Sequence, residues 1–223
     1  MSRSLDSGCC ICIFAKPPLA GEVKTRLAES LGPENAAHLA HQFLLDTWAS
    51  VRLLRWAHPI LASTGRFAPS LRPARAEVWL QGQGDLGNRL ERILRRALRS
   101  HSQAIAIGAD TPGLPSGFLT RARRELSNGA DAAIGPTEDG GFYLLGLTRC
   151  PRGLLKNVAW GSSSVFSQTM GCLKRKGLRI AVLDPWFDVD RIDDLQRLKK
   201  LIARRAVRAP RTERALGLGH GST

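Results

Sequence analysis

The stretch Ala104-Ile105-Ala106-Ile107-Gly108-Ala109-Asp110-Thr111-Pro112 decides how the rest of the chain is interpreted. Its apolar run is too short for a helix, and Pro112 stops it just after a single carboxylate. This pattern is typical of a buried parallel strand that ends at the edge of a sheet. In open α/β sheets, ligands bind beyond the carboxyl ends of the strands, so Asp110 is expected to face a bound molecule. The alternative is that Asp110 caps a turn before Pro112, as aspartate often does.

The composition is that of an ordinary soluble globular chain. With 223 residues, the chain can bury one core without disulfides, and no apolar run reaches the length of a membrane span. Five cysteines, an odd number, include three on the first apolar run, which indicates a reducing cytoplasm and structural thiols. Cys9 and Cys12 have Cys-x-x-Cys spacing, but strand positions three apart face opposite sides. We therefore expect neither a metal nor a redox site there.

The formal net charge of +14 indicates anionic ligands. Much of it lies on one predicted helix and near the C-terminus, in residues 89–99 and 197–214. Nucleic-acid binding is one interpretation. Aromatic residues are few and not interleaved with the arginines, however, and no helix-turn-helix or zinc-finger spacing appears. A solvated basic surface that attracts phosphorylated ligands is therefore favoured over a nucleic-acid interface. A homodimer through the exposed helices stays open.

The first predicted strand, Cys9 to Ala15, leads into a loop with two prolines, a glycine and three cations. Those cations are Lys16, Lys24 and Arg26. Backbone N–H groups at a helix start and converging cationic heads would form an anion site. The loop is not a Walker A loop, because Lys24-Thr25 lacks the preceding glycines. The alternative is a solvated basic loop.

A second glycine-rich loop, with Gly82, Gly84 and Gly87, opens a predicted helix that runs to about residue 100. It matches G-x-G-x-x-G and so raises the possibility of dinucleotide binding. The match is not at the first strand–helix turn, however, and Asp85 would repel a pyrophosphate. A nucleotide-binding loop of another kind is favoured, in which Asp85 accepts from a base or sugar and Arg89 meets a phosphate.

Two apolar runs, 132–135 and 142–146, flank the segment Pro136-Thr137-Glu138-Asp139-Gly140-Gly141. Asp-Gly between apolar runs predicts a β-hairpin turn. The same tip also carries two carboxylates and bare backbone, as a site in close contact with a substrate would. Both interpretations stay open.

Acidic residues concentrate near the C-terminus against a basic background. Asp188 and Asp190 alternate with Val189 in an extended segment, so they share a face. Together with Asp110 they would form a hard oxygen site for Mg²⁺ or Mn²⁺.

Helical periodicity is predicted over about 33–55 and 116–127, and the pattern ends at about residue 204. The chain is therefore divided into one domain, 8–203, and a basic tail, 204–223, that is expected to be disordered.

Several of these motifs together resemble a known family, the bacterial glycosyltransferase-like proteins with the nucleotide-diphospho-sugar transferase (GT-A) fold. Some members are associated with radical-SAM proteins or arsenosugar biosynthesis. The resemblance implies one α/β domain with a mostly parallel mixed sheet flanked by helices. The matching segments, in chain order, are Phe14-Ala15-Lys16-Pro17, Gly21 with Val23-Lys24-Thr25-Arg26-Leu27, Gln83-Gly84-Asp85-Leu86-Gly87 with Arg89-Leu90, Gly108-Ala109-Asp110 with Pro112 and Leu114, Gly135-Pro136 with Asp139-Gly140-Gly141-Phe142-Tyr143-Leu144, Trp160-Gly161, and Asp188-Val189-Asp190 with Asp194-Leu195.

The resemblance also implies roles for individual residues. The nucleotide would be bound by the two loops, through Ala15, Lys16, Lys24, Thr25, Arg26, Gly84, Asp85 and Arg89. Mg²⁺ or Mn²⁺ would be held by Asp110 and Asp190, with Asp188 beside them. Apart from the resemblance, we expect the acceptor to meet the two carboxylates and bare backbone of the hairpin tip, that is Glu138, Asp139, Gly140 and Gly141, together with Trp160. Asp139, Lys24 and Arg26 are the expected catalytic groups.

One departure from the pattern bears on the reaction. Glycosyltransferases of this fold carry Asp-x-Asp where this chain has Asp110-Thr111-Pro112. A single acid is closer to nucleotidyltransferases of the same fold, such as the 2-phospho-lactate and molybdenum-cofactor guanylyltransferases. We expect the protein to be a metal-dependent glycosyltransferase that uses a nucleotide-sugar. The alternative is a nucleotidyltransferase that uses a nucleoside triphosphate and releases pyrophosphate.

Overall fold

The computed structural model describes residues 6–218, which form one layered α/β unit around a single sheet. Its strands are β1 (Asp6–Ala15), β2 (Ala57–Ser63), β3 (Val78–Leu80), β4 (His101–Gly108), β5 (Ala132–Pro136), β6 (Phe142–Leu147) and β7 (Ile180–Val182). Its helices are α1 (Thr25–Leu31), α2 (Pro33–Arg52), α3 (Leu86–Ala97), α4 (Ser116–Ser127), α5 (Val165–Arg175), α6 (Ile192–Ala203) and α7 (Pro210–Ala215).

The seven strands lie in the order β3-β2-β1-β4-β6-β5-β7. Strands β1 to β4 are mutually parallel, whereas β6 runs antiparallel to both β4 and β5. The last strand, β7, pairs parallel with β5. The predicted α/β fold with a mostly parallel mixed sheet is therefore confirmed, and so is the hairpin between 132–135 and 142–146.

Both faces of the sheet are covered, as strands without a polar face require. Leu44, Trp48 and Val51 of α2 pack on one face together with Leu119, Ala122 and Leu126 of α4. On the other face lie Leu90, Ile93 and Leu94 of α3 and Leu173 of α5. Cys9 belongs to the first layer and Cys12 to the second, so the two thiols point to opposite sides of β1. This opposite orientation is the reason why we expected neither a metal site nor a redox site at Cys9 and Cys12.

The tail from residue 204 was expected to be disordered, but the structure shows it folded as far as residue 218. Val207 and Ala209 are buried against α1, α2 and α6, and α7 follows them. Asp46 of α2 accepts the backbone N–H groups of Arg211 and Thr212 at 3.1 and 2.8 Å. The segment lacks helical periodicity because only isolated residues anchor it, and a side chain far away in sequence caps its helix. Residues 219–223 lie outside the described part of the chain.

Helix ends follow local signals. Pro33 occupies the first turn of α2, and α4 ends at Asn128-Gly129, where Gly129 has a φ of 101°. Within residues 6–218, no helix combines the length and apolarity needed to cross a membrane.

Candidate functional site

A cleft of about 530 Å³ opens at the carboxyl ends of the parallel strands. It lies where the chain order reverses, because β2 lies on one side of β1 and β4 on the other. Such a switch point is where open α/β sheets bind ligands. Residues of the β1 and β4 ends, the first loop and the C-terminal acidic segment all reach it. The predicted site residues among its lining are Ala15, Lys16, Lys24, Thr25, Arg89, Asp110, Asp188 and Asp190.

The centre of the cleft is an ionic cluster of three residues. The ammonium of Lys24 lies 2.8 Å from Asp190 Oδ1 and 3.2 Å from Asp110 Oδ1. The backbone also joins the two acidic segments, since the N–H of Val189 donates to the carbonyl of Asp110 at 3.0 Å. Among residues 6–218, the Asp110 carboxylate pairs with Lys24, which favours the ligand-facing interpretation of Asp110 over the turn cap.

The electrostatics of the cluster depend on how deeply each group is buried. The Lys24 side chain is only 5% exposed, against 55% for Asp110 and 43% for Asp190. Burial alone would lower the pKa of Lys24, but the charges of Asp110 and Asp190 outweigh it and raise that pKa above its ordinary value. Burial would likewise raise the pKa of Asp190, yet Lys24 holds it below its usual range. The ammonium and the Asp190 carboxylate thus stabilise each other in their charged forms.

Asp188 differs from its neighbours because it is half-buried and forms no ion pair among the residues that the structure describes. Burial, followed by the charge of Asp110, raises the pKa of Asp188 to about 7. Asp190 and Asp139 add to the same effect, so four carboxyl groups share one region of the molecule. Such a concentration of negative charge attracts a cation.

The donor chemistry of the cluster suits a hard cation. Among residues 6–218, no three His, Cys, Asp or Glu side chains are arranged as a ready-made metal cage. Mg²⁺, however, is commonly bound through one or two carboxylates together with substrate phosphates. Asp110 and Asp190 provide such a pair, partly exposed and facing the cleft, so they fit this kind of site. In this structure the ammonium of Lys24 lies between the two carboxylates.

Cationic side chains border the same cleft. Lys16 is exposed at its edge, and Arg89 reaches it from α3 and donates to Gln81 Oε1 at 3.4 Å. Arg26 is exposed and does not line the cleft, although its charge acts on Asp190. The first loop therefore brings two of its three predicted cations into the cleft.

The glycine-rich loop has a structural role that its sequence pattern did not lead us to expect. Asp85 caps α3 and accepts the N–H of Asn88 at 2.8 Å. Arg92 donates to the carbonyls of Gln81 and Gln83 and so holds the loop against α3. Gly84 and Asp85 do not line the cleft.

The tip of the β5–β6 hairpin is tied to structure on both sides. Asp139 Oδ1 accepts from Thr137 Oγ1 at 2.5 Å and from the N–H of Gly141 at 3.1 Å. Glu138 forms a two-point ion pair with Arg197 of α6, which lowers its pKa. The geometry supports the turn interpretation, while the charge of Asp139 still reaches Asp188.

Close backbone approach explains the glycine at the centre of this tip. A Cβ on Gly140 would lie 1.9 Å from the carbonyl oxygen of Ser163, and its φ is +89°. Trp160 lies on the connection between β6 and α5, as Ser163 does. It packs edge-on against Phe142 and beside Gly87. Its indole N–H is buried without a hydrogen-bond partner in the described residues. Glu138 to Gly141 and Trp160 lie outside the cleft lining.

Sequence reasoning missed several polar residues that line the cleft. Gln81 is buried at the end of β3, where its side-chain amide donates to the Ala62 carbonyl at 2.8 Å. Thr64 follows β2, and Glu22 lies in the first loop just before Lys24. Tyr143 reaches the cleft from β6. The available signal was position, since Thr64 and Gln81 directly follow β2 and β3, whose carboxyl ends meet at this edge.

Five arginines line a separate cavity of about 510 Å³ along α3. Arg96 lies over the Trp79 ring at 4.0 Å, and the Glu91 carboxylate accepts the N–H groups of Gly153 and Leu155. The arginines that line this cavity are Arg92, Arg95, Arg96, Arg99 and Arg152.

Comparison with solved structures places this geometry among related folds. A proposed nucleotide-diphospho-sugar transferase from Desulfovibrio desulfuricans is 29% identical, with a TM-score of 0.83 over 94% of this chain and 95% of that one. CMP:2-keto-3-deoxy-manno-octonic acid synthetase in complex with CTP is 11% identical, with a TM-score of 0.58 over 89% and 100% of the two chains. The 4-diphosphocytidyl-2C-methyl-D-erythritol synthase is 15% identical, with a TM-score of 0.57 over 89% and 100%. The latter two share the fold.

Sequence comparison gives the family. No curated protein matches the chain. A family model described as uncharacterized protein conserved in bacteria (DUF2064) matches residues 47–162, which is more than half of the chain. This span includes β2 to β6, the glycine-rich loop, Asp110 and the hairpin tip. The chain therefore belongs to the DUF2064 family of bacterial proteins.

Proposed function

We propose that the protein is a transferase that uses a nucleotide-activated donor, a nucleotide-sugar, bound in the cleft. The observation that carries this proposal is the position of Lys24, Asp110 and Asp190 at the switch point between β1 and β4. The cleft combines cations that suit phosphates with a carboxylate pair that suits a divalent cation. The similarity to a proposed nucleotide-diphospho-sugar transferase over nearly the whole chain supports the same class of donor.

Asp110 and Asp190 would hold Mg²⁺ or Mn²⁺, with Asp188 behind them. A bound divalent cation neutralises phosphate charge and stabilises a departing phosphate oxygen. Lys16 and Lys24 add positive charge at the same place, and Arg89 meets the donor from α3. Ala15 and Thr25 bring backbone close to the donor at the end of β1 and the start of α1.

The acceptor would approach from the hairpin side. Asp139 would act there as the general base, because it is the acidic group at the tip whose charge reaches Asp188. Its hydrogen bonds with Thr137 and Gly141 fix its position, which a general base requires.

A nucleotidyltransferase is the second candidate. Two observations favour it. Asp110 is a single acid where the glycosyltransferases carry two, and the second proposed metal ligand, Asp190, comes from the C-terminal acidic segment. The fold is also shared with a synthetase that binds CTP. In this reaction an acceptor oxygen attacks the α-phosphorus of a nucleoside triphosphate, and pyrophosphate leaves.

A thermal-shift panel of nucleoside triphosphates and nucleotide-sugars, with and without Mg²⁺ or Mn²⁺, tests the donor class. A ligand that binds only the folded state raises the apparent stability by mass action. We expect a nucleotide-sugar to raise Tm in a metal-dependent way. A shift restricted to a triphosphate favours the second candidate, and an absence of any nucleotide-dependent shift contradicts both.

The product identifies the reaction once a donor is known. Phosphorus NMR of turnover mixtures distinguishes a released nucleoside diphosphate from pyrophosphate. Nucleoside diphosphate release that depends on a sugar donor supports glycosyl transfer. Pyrophosphate release from a triphosphate overturns it.

A further inference from the structure

Lys24 is held in a conformation that its position in the chain does not explain. It precedes α1 with a φ of 49° and a ψ of 43°, in the left-handed region that non-glycine residues rarely occupy. Its side chain does not cap the helix, and it is almost completely buried. The strained backbone and the buried ammonium together direct one cation between Asp110 and Asp190.

We propose that the Lys24 ammonium competes with the divalent cation for the carboxylates of Asp110 and Asp190, and moves to the donor phosphates when the metal binds. This inference rests on the proposed function, because it assumes that these two carboxylates hold the metal.

The competition follows from the contacts. The ammonium already occupies one oxygen of each carboxylate, at 3.2 and 2.8 Å. A divalent cation between the same carboxylates would meet a like charge at contact distance, in a partly buried region where repulsion is weakly screened. The ammonium therefore has to leave before the metal can bind.

The donor makes this exchange favourable. Lysine is a compact cation on a flexible stem with three donors, so it can turn from the carboxylates to phosphate oxygens in the same cleft. The phosphates thus offer a new partner to Lys24 and further oxygens to the metal. Metal and donor therefore bind cooperatively, and each raises the affinity for the other by the same factor.

Mn²⁺ alone, titrated into the full chain and followed by electron paramagnetic resonance of the free ion, tests the competition. Lys24→Met removes the charge at nearly constant length, and we expect it to bind Mn²⁺ about tenfold more tightly than the wild type. Lys16→Met removes the same charge from the edge of the cleft, without an ion pair to either carboxylate, and is expected to change the affinity much less. Lys24→Gln serves as a second variant if Lys24→Met folds poorly.

A second readout is the increase in Tm that Mn²⁺ produces, which should be larger for Lys24→Met than for the wild type. Equal Mn²⁺ affinity in the wild type and both Lys24 variants overturns the competition, and so does an equal gain in Lys16→Met. Asp110→Asn separates this failure from that of the proposed function. If Asp110→Asn weakens Mn²⁺ binding, the metal site stands without the competition. If it has no effect, the metal site itself is wrong and the competition falls with it.

Discussion

The ammonium of Lys24 lies 2.8 Å from Asp190 Oδ1, although the two residues are 166 positions apart in the chain. This contact joins the first loop, before α1, to the acidic segment before α6. Asp110, two residues after the central strand β4, completes the cluster. The segments with candidate chemistry are thus brought together at one edge of the sheet by topology.

A double-mutant cycle of Lys24→Met and Asp190→Asn should give a coupling free energy of about 1 kcal/mol, because Lys24 is buried while Asp190 stays partly in water. Urea unfolding of the four proteins without metal measures it. The control is the longer pair Arg124–Glu125, at 3.6 Å, whose cation is largely exposed, and it should give a coupling close to zero. Equal values for the two pairs would contradict a special role for the Lys24 contact.

Asp46→Ala should destabilise the protein by about 1–3 kcal/mol. Asp46 is 4% exposed, and removal of its carboxylate leaves two backbone N–H groups at the start of α7 without their acceptor. The free energy of unfolding in urea measures the change. Glu29→Ala removes an exposed acid from α1 and should change stability by less than about 0.5 kcal/mol. A similar effect in both variants would indicate that the α7 segment adds little to the fold.

Gly140→Ala and Gly161→Ala separate steric clash from backbone strain. Both glycines have positive φ, +89° and +85°, but a Cβ at Gly161 would meet nothing within 4 Å. Gly161→Ala should therefore cost about 1 kcal/mol, from the backbone alone. Gly140→Ala should cost clearly more, since the Cβ would clash with the Ser163 carbonyl, and chemical denaturation measures both. Equal costs would mean that the hairpin tip can move away from Ser163 freely.

Asp131 should make stability depend on pH in the acidic range. A hydrogen bond from the Arg179 N–H, together with those from the Arg149 and Arg179 side chains, lowers the pKa of Asp131 to about 2 from an ordinary value of 3.8. Its stabilisation is thus complete above the ordinary pKa and is lost as the pH falls from about 4 to about 2.

The test compares wild type and Asp131→Asn by urea unfolding at several pH values. The variant should be less stable at pH 6, and the difference should shrink below pH 4. Asp193→Asn changes an exposed acid of α6 and should give no comparable pH dependence. A difference between wild type and Asp131→Asn that stays constant from pH 6 to pH 3 would contradict the role of Asp131.

The fold was largely predictable from local patterns. The apolar run before Asp110, the turn signals at Asn128-Gly129 and Asp139-Gly140, and the periodicity of α2 and α4 each reflect short-range physics. The ordered segment after residue 204 was not predictable, because its stability comes from Asp46 and from packing on α1, α2 and α6. These contacts leave no periodic pattern in the segment itself.

The candidate site was predictable in part. Positions after strands led to Asp110 and Lys16, since parallel strands end at one edge of the sheet. The acidic segment stood out by its carboxylates against a basic background. That Lys24 lies between Asp110 and Asp190 depends on side-chain geometry across distant segments, which sequence spacing does not encode. Asp85 illustrates the opposite case, because an acid in a glycine-rich loop serves equally well as a ligand contact or as the N-cap observed for α3.

Calorimetric titration with the nucleotide or nucleotide-sugar that gives the largest thermal shift, with Mg²⁺ present and absent, tests the central claim most directly. The wild type and Asp193→Asn should bind this donor in a metal-dependent way. Asp110→Asn should weaken the metal-dependent binding by about tenfold or more, because one of the two proposed ligands is lost. Binding by Asp110→Asn with wild-type affinity and wild-type metal dependence would contradict a nucleotide and metal site in this cleft.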